Sequence, residues 1–278
     1  MFIKNRSSMQ RFYQLTAIIL IVLLLVGCGG NVPSGKNKPE DEGRSGVVVQ
    51  PGQQQDEGSD KAGSPTNASE SFAAYSEAKG ELVTVLTDAL AKNPGTEMNS
   101  MSLLAVALVD LAVIPASCFG LGEEAATMAL GMMALEDVVY SENGNQYSVK
   151  YKNAEGEQYE LQGVYDKAAD ALRCTSLFDG KESLIWEYRK TSFGYVGQFY
   201  VTNEDGTRYV YKLAVSGKDG ALGISEASAA SPALTGSETI DFPKQSTEWY
   251  AIKDDAVTGL TADGKEIAFV YTPSENGE

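Results

Sequence analysis

The chain has 278 residues, with 22 Lys and Arg against 38 Asp and Glu, a formal net charge of −16, no histidine and three cysteines. That length holds one domain or two small ones, and an apolar fraction of 43% is enough to build a core. The acid excess argues against nucleic acid as a partner and against charge-driven docking on an anionic membrane. The missing imidazole excludes Ser–His–Asp and Cys–His nucleophiles and every zinc site that needs histidine.

Residues 1–28 read as an export signal. Lys4, Arg6 and Arg11 make a basic start, and an uncharged run from Leu15 to Gly27 follows. The run is shorter than the about 20 apolar residues that span a bilayer, and fits the apolar core of a cleaved signal peptide. It ends in Leu25-Val26-Gly27-Cys28, which resembles the lipobox of bacterial lipoproteins. The resemblance implies cleavage ahead of Cys28 and a diacylglycerol thioether on that residue. It therefore implies a lipid-anchored chain on the extracytoplasmic side of the cell membrane. Loss of the leader leaves 19 basic against 38 acidic residues, so lipid, not charge, is the expected membrane contact. Each buried CH₂ contributes roughly 0.8 kcal/mol to such an anchor.

Residues 29–70 are rich in Gly, Ser, Pro, Gln and acidic side chains, with Val47-Val48-Val49 as the one apolar interruption. Such a stretch buries too little apolar surface to offset its chain entropy. It reads as a flexible tether averaging roughly 35 Å end to end.

Residues 71–139 read as helical, the first part of a single domain over 71–278. Phe72, Tyr75, Leu82, Leu86, Ala89 and Leu90 recur at helical spacing, and Asn93-Pro94-Gly95 stops that helix. A second helix starts near Asn99 and runs through Leu103–Ile114. It is apolar nearly all round, which predicts burial on all sides. A transmembrane reading of 103–122 is opposed by Asp110, Pro115 and two glycines. A third helix is expected from Glu123 to about Val138, with two carboxylates at its positive end.

From Tyr140 the period changes to two. Tyr147, Val149 and Tyr151 alternate with polar residues, and so do Tyr159 and Leu161, Leu172 and Cys174, Leu184, Trp186 and Tyr188, Phe199 and Val201, Tyr209 to Val215, and Ile267 to Tyr271. Asn/Asp-Gly turns recur between them, the spacing of hairpins in an antiparallel meander. Residues 226–246 read as a long loop over one sheet edge. The expected fold class is α+β: two or three N-terminal helices packed on a curved antiparallel β-meander of about eight to ten strands over 140–278.

Motifs for catalysis are scarce. Ser76-Glu-Ala-Lys79 matches the S-x-x-K pattern of penicillin-binding enzymes and β-lactamases, with Ser141-Glu142-Asn143 as a partner, but the Lys-Thr-Gly element is missing. On the helix, Ser76 and Lys79 read as exposed neighbours. No cofactor and no metal site is expected. Asp110, a carboxylate in an apolar helix, either holds a ligand head group or pairs with a Lys, Arg or Tyr. Met128, Met132 and Met133 facing aromatics such as Trp186 could line a greasy pocket, or form ordinary core. Cys118 and Cys174 are a candidate disulfide in an exported chain, or two buried thiols.

Helices cradled by a meander are similar in outline to the lipoprotein-carrier proteins of the periplasm. The implied function is a lipid-anchored, non-catalytic binding protein of the cell envelope. Its partner would be an apolar or amphiphilic ligand or another envelope protein. The alternatives are a surface module for protein or glycan, and a glycan-cleaving enzyme using carboxylates alone. A carrier requires hollow space beneath the sheet.

Overall fold

The computed structural model describes residues 65–203 and 206–273. The export signal, Cys28 and almost all of the tether lie outside the described residues. The chain divides into two units, Met1–Asp60 and Lys61–Glu278, and every described residue belongs to the second.

Helix α1 spans Ala68–Lys92, starting inside the expected tether. Asn67 caps it: its side-chain oxygen accepts from the Glu70 N–H at 2.9 Å, and the Glu70 carboxylate accepts from the Thr66 N–H at 2.7 Å. These bonds satisfy donors that a helix start leaves open. Phe72, Tyr75, Lys79, Leu82, Leu86, Ala89 and Leu90 are buried along one face. Helix α2 spans Asn99–Val113 and passes into a 3-10 turn, Ile114–Cys118, with Pro115 near its start.

Helix α3 spans Glu123–Met132 and stops short of the expected Val138. The Leu135 N–H donates back to Leu130 O and the Ala134 N–H to Gly131 O, with Ala134 in the left-handed region at φ 58°. This is a Schellman ending that hydropathy alone could not reveal, because a non-glycine residue holds its left-handed position.

Eleven strands follow, more than the eight to ten expected. They are β1 (Glu136–Asn143), β2 (Gln146–Lys152), β3 (Gln158–Asp166), β4 (Ala171–Phe178), β5 (Lys181–Lys190) and β6 (Tyr195–Thr202), then β7 (Arg208–Ser216), β8 (Asp219–Glu226), β9 (Glu248–Lys253), β10 (Ala256–Leu260) and β11 (Glu266–Val270). They form one sheet in strict chain order, each pairing antiparallel with the next. The fold is therefore α+β, three helices followed by a meander. The helices lead the described domain; they do not begin the chain.

The centre of the sheet is covered on both faces. On one face α1 touches strands from β4 to β9. On the other lies the segment 227–247. The Leu234 N–H donates to the Glu187 carboxylate at 3.1 Å, Gln198 donates to Pro232 O at 2.6 Å, and the Lys212 ammonium sits 4.8 Å from the Phe242 ring centroid. The long loop therefore crosses a sheet face, not an edge as the sequence suggested. The apolar outer side chains Val196, Val210 and Ala214 are buried there, and leaving them in water would cost roughly 25 cal/mol per Å².

α1 can approach because Gly197 carries no side chain. A Cβ there would stand 2.1 Å from the Tyr75 hydroxyl and 2.9 Å from its ring carbon Cζ. Gly163 admits the Phe119 ring in the same way, with a Cβ 2.3 Å from Cε2.

Gly197→Ala should destabilise the domain by about 1–3 kcal/mol, the usual cost of overpacking, read as a lower urea midpoint. Ala134→Gly should stabilise the domain by about 1 kcal/mol, read as a higher midpoint, since glycine adopts positive φ without a Cβ clash.

Candidate functional site

The residues proposed from sequence for a ligand site do not come together. Met128, Met132 and Met133 point to solvent, Met132 being 85% exposed. Trp186 is completely buried beneath α1, its ring centroid 5.6 Å from those of Phe72 and Tyr75. The methionines fall on the outer side of α3 because Ala126 and Leu130 take its buried side.

The space beneath the sheet is packed. Tyr75, Leu82, Leu86, Leu103, Trp186 and Tyr250 are all 0% exposed. Tyr75 stacks on Tyr188 with ring centroids 4.3 Å apart and meets Tyr195 edge-on at 5.7 Å. Under the outer loop a void of about 10 Å³ lies among Ile185, Glu187, Phe199 and Val210, room for about one water at most. A shallow cleft of about 200 Å³ opens between the end of α1 and β11, beside Lys92, Pro94, Phe269 and Tyr271.

Two polar clusters sit in or against this core. In the first, Lys79 of α1 donates to the Asp110 carboxylate of α2 and to Val106 O at 3.3 Å, with the Phe199 ring centroid 5.3 Å from its ammonium. Lys79 is 1% exposed, not the exposed neighbour of Ser76 that its helix position suggested, while the Asp110 side chain is 40% exposed. Of the two roles foreseen for Asp110, pairing is the one adopted. Burial pushes the Lys79 ammonium below its ordinary pKa, against the pull of Asp110. Burial likewise pushes the Asp110 carboxyl up, against the pull of Lys79.

The second cluster sits at the start of α1. The Ser71 hydroxyl bonds to the Asp170 carboxylate and to the Tyr188 hydroxyl. Tyr165 donates to Asp170 at 3.4 Å, and the Lys190 ammonium lies 3.9 Å from its other oxygen. Burial raises the Tyr188 hydroxyl well above the usual phenol range and raises that of Tyr195 above its ordinary value. Both are neutral at neutral pH, Tyr195 accepting from the Lys190 ammonium at 3.5 Å, and the cluster ties α1 to the β3–β4 turn. No sequence motif marks it, because directly bonded members such as Ser71 and Tyr188 are 117 residues apart.

Cys118 and Cys174 are both free and buried, so the candidate disulfide is not formed. Each thiol is held in packing, Cys118 with its sulfur 3.8 Å from the Ser117 hydroxyl, and burial raises both thiol pKa values. Thiols so shifted are poor nucleophiles. Among the described residues no three Cys, Asp or Glu side chains gather in a group that could hold a metal ion.

Comparison with known proteins yields no matching family, no matching curated protein and no matching solved structure.

Removing Asp110 strands a buried ammonium, and such losses run to about 3–5 kcal/mol. Water screens the half-exposed carboxylate, so Asp110→Asn should fall at the low end, ~3 kcal/mol by urea unfolding. Lys79→Met with Asp110→Leu should return to within about 1 kcal/mol of the wild type or exceed it, since the desolvation cost goes with the pair. With its folded pKa below the unfolded value of 10.5, Lys79 binds fewer protons in the native state. Stability in Asp110→Asn should therefore rise with pH from that lowered pKa up to about 10.5.

Proposed function

We propose that this chain is an exported, lipid-anchored, non-catalytic binding protein of the bacterial cell envelope that meets its partner through its outer surface. The observation that carries the location is Leu25-Val26-Gly27-Cys28 at the end of a basic start and an apolar run. The about 40 residues before α1 would let the domain range up to roughly 140 Å from the membrane.

The packed interior supports the surface reading over an enclosed apolar ligand. A carrier cavity for a drug-sized molecule runs to about 300 Å³ or more, and α1 occupies the place where one would lie. The outer surface offers more. The polar face of β2 and β3 exposes Lys150, Gln158 and Gln162, and the helical layer exposes large apolar side chains.

Intact mass spectrometry of the protein from a bacterial membrane fraction should show a chain that starts at Cys28 and carries a diacylglycerol adduct. Cys28→Ser should lose the adduct and leave the leader attached. A wild-type chain that retains residues 1–27, or starts at Cys28 without lipid, overturns the anchored reading.

A further inference from the structure

All five methionines beyond the leader lie in the helical layer, and none is buried. Met98 is 79% exposed, Met101 54%, Met128 67%, Met132 85% and Met133 39%. Methionine is ordinarily a core residue, so this placement needs a cause. On α2, Met101, Leu104 and Leu108 recur at helical spacing on the side opposite Leu103, Val106 and Val113, the buried face. On α3, Glu124, Met128 and Met132 form a matching exposed stripe opposite Ala126 and Leu130. The expectation that α2 is buried on all sides therefore fails: one of its two apolar faces has no partner among the described residues.

Charge limits what could cover it. Residues 68–133 carry eight acidic side chains and two lysines. Both lysines are in ion pairs, Lys79 with Asp110 and Lys92 with Asp88 at 2.5 Å. From Asn93 to Val149 there is no Lys or Arg at all. Glu77, Glu81, Glu97, Glu123 and Glu124 are exposed. An apolar stripe within an acidic field repels an anionic bilayer surface, and a second copy would set two acidic fields face to face. By length and composition Asn99–Cys118 could cross a membrane, but Asp110 within it is held to the buried Lys79 of α1.

We infer that the exposed face of α2 is a docking surface for a cationic amphipathic helix. Leucine and methionine side chains receive the apolar face of such a helix, and unbranched thioethers adapt to its shape. The unpaired carboxylates select its lysines or arginines. The inference rests on the surface-binding reading above and gives it a partner class.

The test uses the unit 61–278, which contains every described core residue. It is titrated by fluorescence anisotropy with a synthetic Lys/Leu amphipathic peptide of about 18 residues, near five helical turns. A Glu/Leu peptide of the same pattern, anionic phospholipid vesicles and sedimentation velocity run in parallel. The Lys/Leu peptide should bind, and the Glu/Leu peptide should not. Leu104→Ser with Leu108→Ser should weaken binding at least about tenfold with an unchanged circular dichroism spectrum, and Glu97→Lys, one turn before Met101 on the same face, should weaken it and flatten its salt dependence. Equal binding of both peptides, or binding indifferent to the serine pair, overturns the inference. So does vesicle binding or dimerisation that the serine pair abolishes while the peptide stays unbound. The mass of the N-terminus is measured separately, so failure here leaves the anchored reading standing, and the reverse.

Discussion

Helix α1 lies so close to the sheet that two strand positions opposite it, Gly197 and Gly220, have no room for a Cβ. A Cβ at Gly197 would meet the Tyr75 hydroxyl, and one at Gly220 would stand 2.7 Å from Leu82 Cδ2. Contact at that range lets Tyr75, Leu82 and Leu86 fill the interior without residual space. It also sets where Lys79 emerges, between α2 and Phe199, and hence why Asp110 must be its counter-charge. The outward face of α2 follows from the same contact. α2 gives Leu103, Val106, Asp110 and Val113 to its buried side, and Met101, Leu104 and Leu108 are left to solvent.

The sheet solves its own burial problem with two unlike covers. Its central strands bury both faces; β6 is buried from Tyr195 to Tyr200, and such strands need apolar partners above and below. The helix supplies one cover and the loop 227–247 the other. The loop is poor in large apolar residues and is held mainly through polar contacts, above all the Glu187 carboxylate. That carboxylate accepts from Gln198, from Leu234 N–H and from Arg173 at 2.9 Å. β1 to β3 expose their outer face, which mixes polar residues such as Lys150 and Gln162 with the exposed Val139 and Val164. With helices on one face and a thin loop on the other, large apolar side chains of α2 and α3 such as Met101, Leu104, Leu108 and Met132 remain exposed.

Legibility in the sequence tracked the range of the interactions involved. Strands with strict alternation, such as Tyr147-Ser-Val-Lys-Tyr151, and Asn/Asp-Gly turns between them were readable because a period of two and a positive-φ turn are local properties. β8 escaped because Asp219-Gly-Ala-Leu-Gly-Ile224 is small and apolar on both faces, so it lacks alternation. β1 escaped because α3 ends through Ala134 in a left-handed conformation and not at a glycine. The candidate ligand set of Asp110, Met128, Met132, Met133 and Trp186 failed as a set. Helical spacing tells which residues share a face, but not which of two apolar faces the sheet will take.

The sequence by itself determined the fold class. Helical spacing and then a period of two each depend on neighbours within a few residues, and each is written locally. It also excluded histidine chemistry outright, by composition. Only the tertiary structure decided that Lys79 is buried and Asp110 is its partner, that Cys118 and Cys174 stay free, and that the space beneath the sheet is solid. Those outcomes depend on contacts between residues tens to more than a hundred positions apart, and on the absence of a side chain at Gly197. Long-range packing of that kind chooses between faces that local patterns leave equivalent, and here it turned the methionine-bearing faces outward.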